Sequence, residues 1–396
     1  MTSIYDAIVL GVGGFGSSAL YHLARRGARV LGIEQFEVAH DRGSSHGQTR
    51  IIRQAYFEHP DYVPLLLHAY DLWRELERET GRALLNQVGL FISGLPECES
   101  VSGTIFAART HGLPLLELSA KEAHRRFPGF HFPDEFAIVF EERAGFLAVE
   151  ACVAAHVDAA LRHGAELHTG EAVVSIAAEG DAVRVGTNRQ NYLAQRLIIT
   201  AGPWAQQVLQ AGDLGLRTDS VLGPRGDWLA VVRKPIFWFP AGRQFDVDQR
   251  CSTFFFETSA GQFYGFPRID GQSIKVAEHT QGDAVADPLT VDREMHAADL
   301  ARIANFLWQH LPDVATQPVR HSVCMYTRTP DCHFIIDRHP EFAAVVLGMG
   351  FSGHGFKFTT VLGQALAELA LDGATSLPVE FLSLARLQAC TPPSAS

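Results

Sequence analysis

Two arginines lie three positions apart in the run His46-Gly-Gln-Thr-Arg-Ile-Ile-Arg53. A guanidinium group presents a rigid fork of N–H donors that matches a carboxylate or the carbonyl of a cofactor ring. If this segment forms a helical turn, Arg50 and Arg53 share one face and act together on a ligand. A solvated surface is the alternative, and the spacing alone leaves the two interpretations open.

A second group of chemically capable residues follows an aromatic stretch. Tyr264 lies within it, and Lys275 and His279 follow the turn at Asp270-Gly271. In an extended chain, residues four apart share a face, so Lys275 and His279 are expected to point together. A lysine among apolar neighbours can stabilise developing negative charge or tune a redox centre. A lone histidine in a strand is more often structural.

Two further clusters lie near the C-terminus. Cys324 and Tyr326 are two residues apart, which places them on the same face of a strand. From the sequence alone, a single cysteine is more simply explained as a small buried apolar residue. The run Gly350–Lys357 is a glycine-rich turn that opens a helix to Leu371, and such an N-terminus stabilises negative charge. Lys357, in the predicted first turn, opposes the helix dipole, which favours a ligand-binding role.

The N-terminus has the order of elements that binds a dinucleotide. An apolar strand enters a turn with Gly11, Gly13 and Gly16 in the pattern GxGxxG, and a helix predicted over Gly14–Arg26 follows. The second strand ends at Glu34, where an acid accepts hydrogen bonds from a ribose hydroxyl. This acid disfavours NADP, but the motif does not separate NAD from FAD. The alternative role for Glu34 is to cap the strand end.

The remaining pattern predicts where these clusters sit. Helices are predicted over about 61–80, 149–163 and 291–310, and antiparallel strands in the aromatic stretch of about 224–285. The fold class is therefore α/β (mixed α+β), with a Rossmann-type dinucleotide domain interleaved with an antiparallel-sheet domain that binds substrate. The dinucleotide domain is expected to comprise residues 1–80, 145–220 and 320–396, and the substrate domain residues 81–144 and 221–319.

Composition excludes several classes of protein. The chain has 396 residues, 47% hydrophobic and 19% charged, which is the balance of a globular enzyme. Its formal net charge of −11 argues against a nucleic-acid partner. No apolar run reaches the length of a membrane span. The six cysteines have neither zinc nor disulfide spacing, so we expect no metal and a reducing, cytoplasmic location.

Taken together, the clusters resemble the monomeric sarcosine oxidase family, which includes the N-methyltryptophan oxidases. The resemblance spans nearly the whole chain, from Gly11 to the final helix. It is carried by the motifs His46–Arg53, Tyr264-Gly-Phe-Pro267, Cys324–Asp337 and Gly350–Phe358. One departure is Gln48, where the family has Asp, and it leaves the fine arrangement of that loop open.

The resemblance implies a role for each cluster. FAD would be joined through its 8α-methyl group to the sulfur of Cys324, with Arg50 and His46 near the flavin. Arg53 and Lys357 would hold the substrate carboxylate, and Lys275 would assist the reaction with oxygen. The pocket would be lined by Tyr264, His279, Tyr326 and His354. Further contacts to FAD are expected from Gly11, Gly13, Gly16, Glu34, Thr49 and Gly353.

The implied reaction is oxidative demethylation of sarcosine or a related N-methyl amino acid, with oxygen as acceptor and formaldehyde and hydrogen peroxide as products. The partners would be the small amine and O2, and the protein would be a monomer. Alternative substrates are N-methyl-L-tryptophan and a cyclic imino acid such as proline or pipecolate. A flavin dehydrogenase with another electron acceptor and a flavin-bearing binding protein without turnover are the rival functions. Three adjacent rings, Phe254, Phe255 and Phe256, either fill the pocket or form an aromatic wall for a large substrate.

Overall fold

A computed structural model describes residues 4–211 and 229–389. The strands are β1 (Tyr5–Leu10), β2 (Val30–Ile33), β3 (Thr49–Ile52), β4 (Leu85–Asn86), β5 (Leu90–Gly94), β6 (Leu116–Leu118), β7 (Ala137–Glu141), β8 (Gly145–Ala148), β9 (Glu166–His168), β10 (Val173–Glu179), β11 (Ala182–Thr187), β12 (Asn191–Ile199), β13 (Ala230–Pro240), β14 (Thr253–Thr258), β15 (Gly261–Phe266), β16 (Ser273–Glu278), β17 (Asp283–Ala284), β18 (Arg320–Arg328), β19 (Ile335–Arg338) and β20 (Val345–Met349).

The α-helices in the described ranges are α1 (Gly14–Arg25), α2 (Tyr62–Thr80), α3 (Glu99–His111), α4 (Ala120–Arg126), α5 (Val149–Arg162), α6 (Ala205–Ala211), α7 (Ala297–His310), α8 (Thr359–Leu371) and α9 (Ala385–Ala389). Short 3₁₀ turns are Gly202–Trp204, Arg243–Phe245, Val247–Gln249, Pro288–Thr290, Phe356–Phe358 and Glu380–Leu382.

The first sheet is the predicted dinucleotide-binding sheet. Its central strands β12, β1, β2 and β9 run parallel, β20 also pairs in parallel with β12, and β10, β11 and β19 add antiparallel edges. Apolar side chains cover both faces, as a parallel sheet requires. Helices α1, α5 and α8 pack together over one of these faces. The turn from β1 to α1 therefore lies at the edge where cofactors bind in open α/β sheets.

The second sheet is the predicted aromatic one, with the order β17-β13-β16-β15-β14-β5-β7-β6 and β18 paired to the other edge of β13. It is antiparallel except between β5 and β14, which run parallel. Phe254 and Phe256 point into a phenylalanine-rich core on one face, whereas Phe255 points to the opposite face with Tyr264 and Trp238. The alternation follows from the two-residue period of a strand.

A third, small sheet corrects one expectation. Residues 49–52 form strand β3, which pairs with β8, so the condition of a helical turn, under which Arg50 and Arg53 would share one face, is not met. The β-branched pair Ile51-Ile52 favours the extended backbone. Arg50 lies within the strand and Arg53 just beyond its end.

Another helix begins later than predicted. The helix predicted over 291–310 starts at Ala297, because the residues before it form a 3₁₀ turn and then a capping box. In that box His296 and Asp299 satisfy each other's backbone amides. Lys357 likewise lies in the 3₁₀ turn Phe356–Phe358 immediately before α8, and not in its first α-helical turn.

The chain passes repeatedly between the two large sheets, since β5–β7 and β13–β18 belong to the second sheet and the segments around them to the first. The predicted domain limits remain a prediction, and the one between residues 220 and 221 lies outside the described residues. Within the described ranges, none of the helices has both the length and the apolar character needed to cross a membrane.

Candidate active site

The glycine turn after β1 shows the close packing that its motif predicts. A Cβ on Gly16 would lie 1.8 Å from the carbonyl oxygen of Gly11, so only glycine lets α1 approach the strand. At Gly13 the nearest atom to such a Cβ is the Ser45 hydroxyl at 3.9 Å, which leaves the backbone accessible. A cavity of about 390 Å³ begins here, and it is lined in part by Gly11, Gly13, Glu34, Thr200, Arg50 and Tyr326.

Glu34 lies at the end of β2 with its carboxylate in this cavity and is 5% exposed. Its oxygens accept hydrogen bonds from the backbone amides of Val12 at 2.8 Å and Phe36 at 3.0 Å. The side chain therefore holds the loops around the glycine turn and also faces the space where a ribose is expected. The structural role of Glu34 is observed, and its binding of a ribose stays a prediction.

A buried thiol in a positive environment lies beside the cavity, next to the lining residues Arg50 and Ser44. Arg50 donates from Nη2 to the Cys324 sulfur at 3.2 Å, and Ser44 offers its backbone oxygen at 3.4 Å. Burial alone would raise the pKa of the Cys324 thiol, but the charge of Arg50, then His46 and Lys275, lowers it to about 6. The lowered pKa of Cys324 favours the thiolate, the reactive form of cysteine.

Lys275 lies on β16 and points to the loop that precedes β3. Its ammonium donates to the backbone oxygens of Gly47 at 2.6 Å and Thr49 at 2.9 Å, and contacts the Thr49 hydroxyl at 3.2 Å. Burial, and then the charge of Arg50, holds the pKa of Lys275 well below its usual value, while the Cys324 thiolate opposes that shift. Lys275 and His279 do not act on one partner, because His279 follows the end of β16 and faces Tyr326.

A smaller chamber of about 60 Å³ adjoins the large cavity. Arg50, Tyr326, Gly353 and Phe356 line both spaces. The other residues around the chamber are Ile51, Arg53, Phe57, Glu58, Phe255, Tyr264, His279, His354 and Lys357. The chamber thus forms where four parts of the chain meet: β3, β14–β16, β18 and the glycine turn.

Two buried cations stand in this chamber. Arg53 donates to the Glu58 carboxylate at 2.5 Å and lies over the rings of Tyr56 and Phe57. Lys357, 5% exposed, donates to the backbone oxygen of His354 at 2.7 Å, and burial with the Arg53 charge lowers its pKa to about 7. Burial raises the pKa of Glu58, but the neighbouring charge of Arg53, supported by that of Lys357, lowers it to about 2.

Aromatic and imidazole groups complete the chamber. The Tyr326 hydroxyl lies 3.3 Å from Nδ1 of His279 and bonds to Tyr264. Burial, followed by the charge of Lys234, lowers the pKa of His279 to about 3, so the ring is neutral. A Cβ on Gly353 would lie 2.3 Å from the Tyr326 ring, and this close approach requires glycine there.

His354 belongs to the same wall of the chamber. Its Nδ1 lies 2.5 Å from the Tyr56 hydroxyl and its Nε2 2.9 Å from the backbone oxygen of Cys332. Burial, partly opposed by Glu58, lowers the pKa of His354 to about 4, so this ring is neutral as well. Both ring nitrogens are occupied, which fixes the orientation of the imidazole.

The residues present suit the expected FAD. The cavity runs from the ribose-type acid Glu34 past an accessible helix N-terminus to Arg50, which contacts the Cys324 sulfur. Within the described ranges, Nε2 of His46 is buried without a hydrogen-bond partner, as expected of a group that awaits a ligand.

Sequence reasoning missed several members of the site, above all Glu58, Tyr56 and Phe57. These residues occupy a loop after β3, where no periodic pattern marks which side chains turn inward. The acid five positions after Arg53 was the one signal that the sequence offered. The turn after β12 also lines the large cavity, at Thr200–Trp204.

Comparison with known proteins agrees with this geometry. Residues 6–369 match the family described as FAD dependent oxidoreductase. The chain is 40% identical to a monomeric sarcosine oxidase of Streptomyces avermitilis, covering 98% of this chain and 99% of that protein. It is 31% identical to an N-methyl-L-tryptophan oxidase of Yersinia pestis, covering 97% and 100%.

Among solved structures, the open form of NikD, described as an unusual amino acid oxidase essential for nikkomycin biosynthesis, superposes with a TM-score of 0.83 at 25% identity. The superposition covers 96% of this chain and 98% of that one. An L-proline dehydrogenase from P. horikoshii, at 21% identity and a TM-score of 0.82, covers 98% and 99% and shares the fold.

Proposed function

The chain belongs to the FAD-dependent oxidoreductase family, in the group of the monomeric sarcosine oxidases and N-methyl-L-tryptophan oxidases, and from that premise we propose that it oxidises a small N-methyl amino acid with molecular oxygen. With sarcosine the overall reaction consumes O2 and water and releases glycine, formaldehyde and hydrogen peroxide. The enzyme is an amine oxidoreductase that depends on FAD.

The observation that carries the proposal is the position of the cationic chamber. It opens into the cofactor cavity where Arg50, Tyr326 and Gly353 line both spaces. Bound FAD supplies a two-electron acceptor for the C–H bond next to the amine nitrogen. A substrate in the chamber therefore lies beside the part of the cavity next to Cys324.

Arg53 and Lys357 are proposed to bind the substrate carboxylate. Their charges face one small space, and among the described residues that line it Glu58 is the sole carboxylate. Glu58 is already paired with Arg53, so a substrate carboxylate must replace it as the partner of the guanidinium. Lys357 has its backbone acceptor at His354 and is free to turn toward the new anion.

The amine must be neutral to be oxidised, because its nitrogen lone pair drives the loss of the neighbouring hydrogen. The charges of Arg50, Arg53 and Lys357 around the chamber disfavour a second cation and so lower the pKa of the substrate ammonium. His279 and Tyr326, with the imidazole neutral, provide hydrogen-bonding groups without adding charge. These two side chains are proposed to orient the amine.

Chamber size favours the smallest substrates. A volume of about 60 Å³ compares with roughly 10–15 Å³ for each water-sized group, which leaves room for the few non-hydrogen atoms of sarcosine. The rings of Phe57 and Phe255, 5.5 Å apart, close the wall. An indole side chain does not fit this space, so sarcosine is favoured over N-methyltryptophan and over a bulky cyclic imino acid.

Cys324 is proposed to hold the flavin covalently, supported by its thiolate character and its position beside Arg50, which lines the cofactor cavity. Lys275, which reaches the loop beside that cavity, is proposed to assist the reaction with oxygen by stabilising developing negative charge. This role favours an oxidase over a dehydrogenase. Arg50 and His46, with Thr49, are proposed to contact the flavin, and Glu34 the ribose.

We propose a monomer that works in the cytoplasm. The support is the printed name of the relatives, monomeric sarcosine oxidase, together with the free thiols of the described cysteines. Size-exclusion chromatography with light scattering tests the monomer, and a mass of twice 43.4 kDa would overturn it.

The direct test of the amine chemistry is anaerobic reduction. Sarcosine added without oxygen should bleach the visible absorbance of the FAD enzyme, whereas N-acetylglycine, which lacks a basic amine, should not. If sarcosine leaves the absorbance unchanged while another amino acid bleaches it, the substrate assignment is wrong.

A further inference from the structure

The side chain that departs from the family's pattern, Gln48, has an unusual conformation. Its φ angle is 71°, in the left-handed region that residues with a Cβ rarely adopt. Three contacts hold it there, and in the first of them its backbone oxygen accepts from the amide of Val149 at 2.9 Å. The backbone N–H donates to the Glu150 carboxylate at 3.1 Å, and the side-chain oxygen accepts from the indole Nε1 of Trp238 at 2.8 Å.

The residues on either side of Gln48 supply the acceptors for Lys275. The backbone oxygens of Gly47 and Thr49 lie 2.6 and 2.9 Å from its ammonium nitrogen. The Gly47 oxygen belongs to the peptide group before Gln48 and the Thr49 oxygen to the one after Thr49, so their relative direction depends on the φ and ψ angles of both residues. The left-handed conformation of Gln48, followed by the extended Thr49 at the start of β3, turns both oxygens toward the same ammonium.

Trp238 connects this loop to the strand that carries Lys275. On adjacent strands Trp238 pairs directly with Lys275, and the ammonium lies 5.7 Å from the centre of an indole ring. The guanidinium of Arg320 lies 3.7 Å from the centre of an indole ring of Trp238, and Trp238 is 3% exposed. A buried indole N–H without an acceptor is costly, so the bond to Gln48 fixes both partners.

We propose that Gln48 and Trp238 are positioning residues for Lys275. Their hydrogen bond holds the 47–49 loop in the one conformation that presents both backbone oxygens to the ammonium, and thereby fixes the charge beside the flavin end of the cavity. This inference rests on the proposed role of Lys275 in the oxygen reaction. It predicts that breaking the hydrogen bond between Gln48 and Trp238 slows reoxidation of the flavin and leaves oxidation of the amine nearly unchanged.

The test uses the FAD enzyme with Gln48→Met, Trp238→Phe and the double variant. Methionine keeps the unbranched length of glutamine without its acceptor, and phenylalanine removes the indole donor. The flavin is reduced with dithionite and mixed with oxygen, so that reoxidation is measured without any amine. Reduction by sarcosine is measured separately under anaerobic conditions.

Each single variant should slow reoxidation by roughly ten- to a hundredfold, the size of effect that misplacing a catalytic group by about 1 Å produces. Reduction by sarcosine should change less than about threefold. The double variant should be no slower than the slower single one, because both substitutions break the same bond. Adding Gln48→Met to Lys275→Met should have no further effect on reoxidation.

Two readouts are independent of turnover. In ¹⁵N-labelled protein, Gln48→Met should shift the indole N–H resonance of Trp238 and speed its exchange with solvent. Urea unfolding of the two single variants and the double one should give a nonzero coupling energy. The matched control is Gln190→Met. In the wild-type protein the Gln190 side-chain amide donates to the Tyr192 hydroxyl at 2.8 Å, so this substitution also removes a hydrogen bond between a glutamine and an aromatic side chain, but on the other sheet. It should leave both half-reactions unchanged.

Several outcomes would overturn the proposal. Reoxidation at the unmodified rate in Gln48→Met would show that Lys275 is placed without this bond. Equal slowing of both half-reactions would show a general structural role. If wild-type enzyme reduced by dithionite reoxidises rapidly but sarcosine never reduces it, the proposed substrate fails while the positioning role still stands or falls on the reoxidation rates.

Discussion

The guanidinium of Arg53 and the carboxylate of Glu58 lie 2.5 Å apart inside the chamber proposed to receive a substrate carboxylate. Glu58 thus occupies the side of Arg53 that a substrate anion needs. Its pKa of about 2 keeps it ionised at neutral pH. An internal anion and an incoming anion compete for one cation.

Glu58→Gln should strengthen the binding of carboxylate ligands. Removing the competing charge spares the ligand the cost of breaking an ion pair, for which about 1–2 kcal/mol is expected in a partly exposed setting, or roughly a five- to thirtyfold fall in Kd. Methoxyacetate, which resembles sarcosine but carries no ionisable amine, is the probe, and its Kd is read by calorimetry. Weaker binding to the variant would show that Glu58 supports the site instead of competing for it.

Binding of methoxyacetate should weaken as pH rises through 7. Burial and Arg53 lower the pKa of Lys357 to about 7, so its ammonium is present below that pH and lost above it. The other titratable groups facing the carboxylate, Glu58 and His354, have pKa values near 2 and 4 and keep their charge state across this range. A carboxylate binds the charged form of Lys357 more tightly than the neutral form, so the affinity for methoxyacetate falls as the pH rises.

Lys357→Met should abolish that pH dependence, whereas Arg53→Met should retain it with a midpoint at higher pH, because the Arg53 charge no longer lowers the pKa of Lys357. Each substitution should cost about 1.5–3 kcal/mol of binding free energy at pH 6, which raises Kd roughly ten- to more than a hundredfold. Calorimetric titrations from pH 6 to 9 separate the two variants. A change of Kd with pH that persists in Lys357→Met would assign the titration to another group.

Cys324→Ala should release FAD from the denatured polypeptide. The sulfur is the nucleophilic atom beside the cofactor cavity, and its thiolate is stabilised by Arg50 at 3.2 Å. Wild-type protein precipitated with acid should retain yellow colour and the mass of protein plus FAD, while the variant should not. Cys251→Ala, a buried thiol whose pKa burial raises, is the control and should retain the cofactor. Free FAD from denatured wild type would contradict the covalent link.

Much of this arrangement follows from patterns that a sequence displays. The glycines after β1 and the acid at the end of β2 are local signals, since turn geometry and strand length fix them over a few residues. The alternation that sends Phe254 and Phe256 to the core and Phe255 to the chamber is equally local, yet which face meets the site depends on the pairing of β14 with β5 and β15.

Long-range contacts could not be derived from the sequence. Arg50 meets Cys324 across 274 residues, and Glu58 meets Arg53 through a loop without periodicity. The extended form of residues 49–52 arises from pairing with β8, nearly a hundred residues away, which outweighs any local tendency to turn. The resemblance implied roles for Arg50, Arg53 and Cys324, which spacing alone left open, but it implied none of these contacts.

Phe255→Ala should widen the range of substrates. The ring lies on the chamber wall against Phe57, so its removal should raise kcat/KM for N-methylphenylalanine by about tenfold or more and lower that for sarcosine. Phe254→Leu, on the opposite face of β14, is the control and should lower the free energy of unfolding without changing the substrate preference. An unchanged preference in Phe255→Ala would place the size limit elsewhere.

The most direct test of the central claim measures three quantities in one aerobic reaction of the purified FAD enzyme with sarcosine: oxygen consumed, hydrogen peroxide formed and formaldehyde formed. The account predicts equal amounts of all three, with much slower turnover of N-methyltryptophan. Formaldehyde without oxygen uptake, dependent on an added dye as electron acceptor, would contradict the oxidase assignment, and absence of formaldehyde would contradict the oxidation of an N-methyl group.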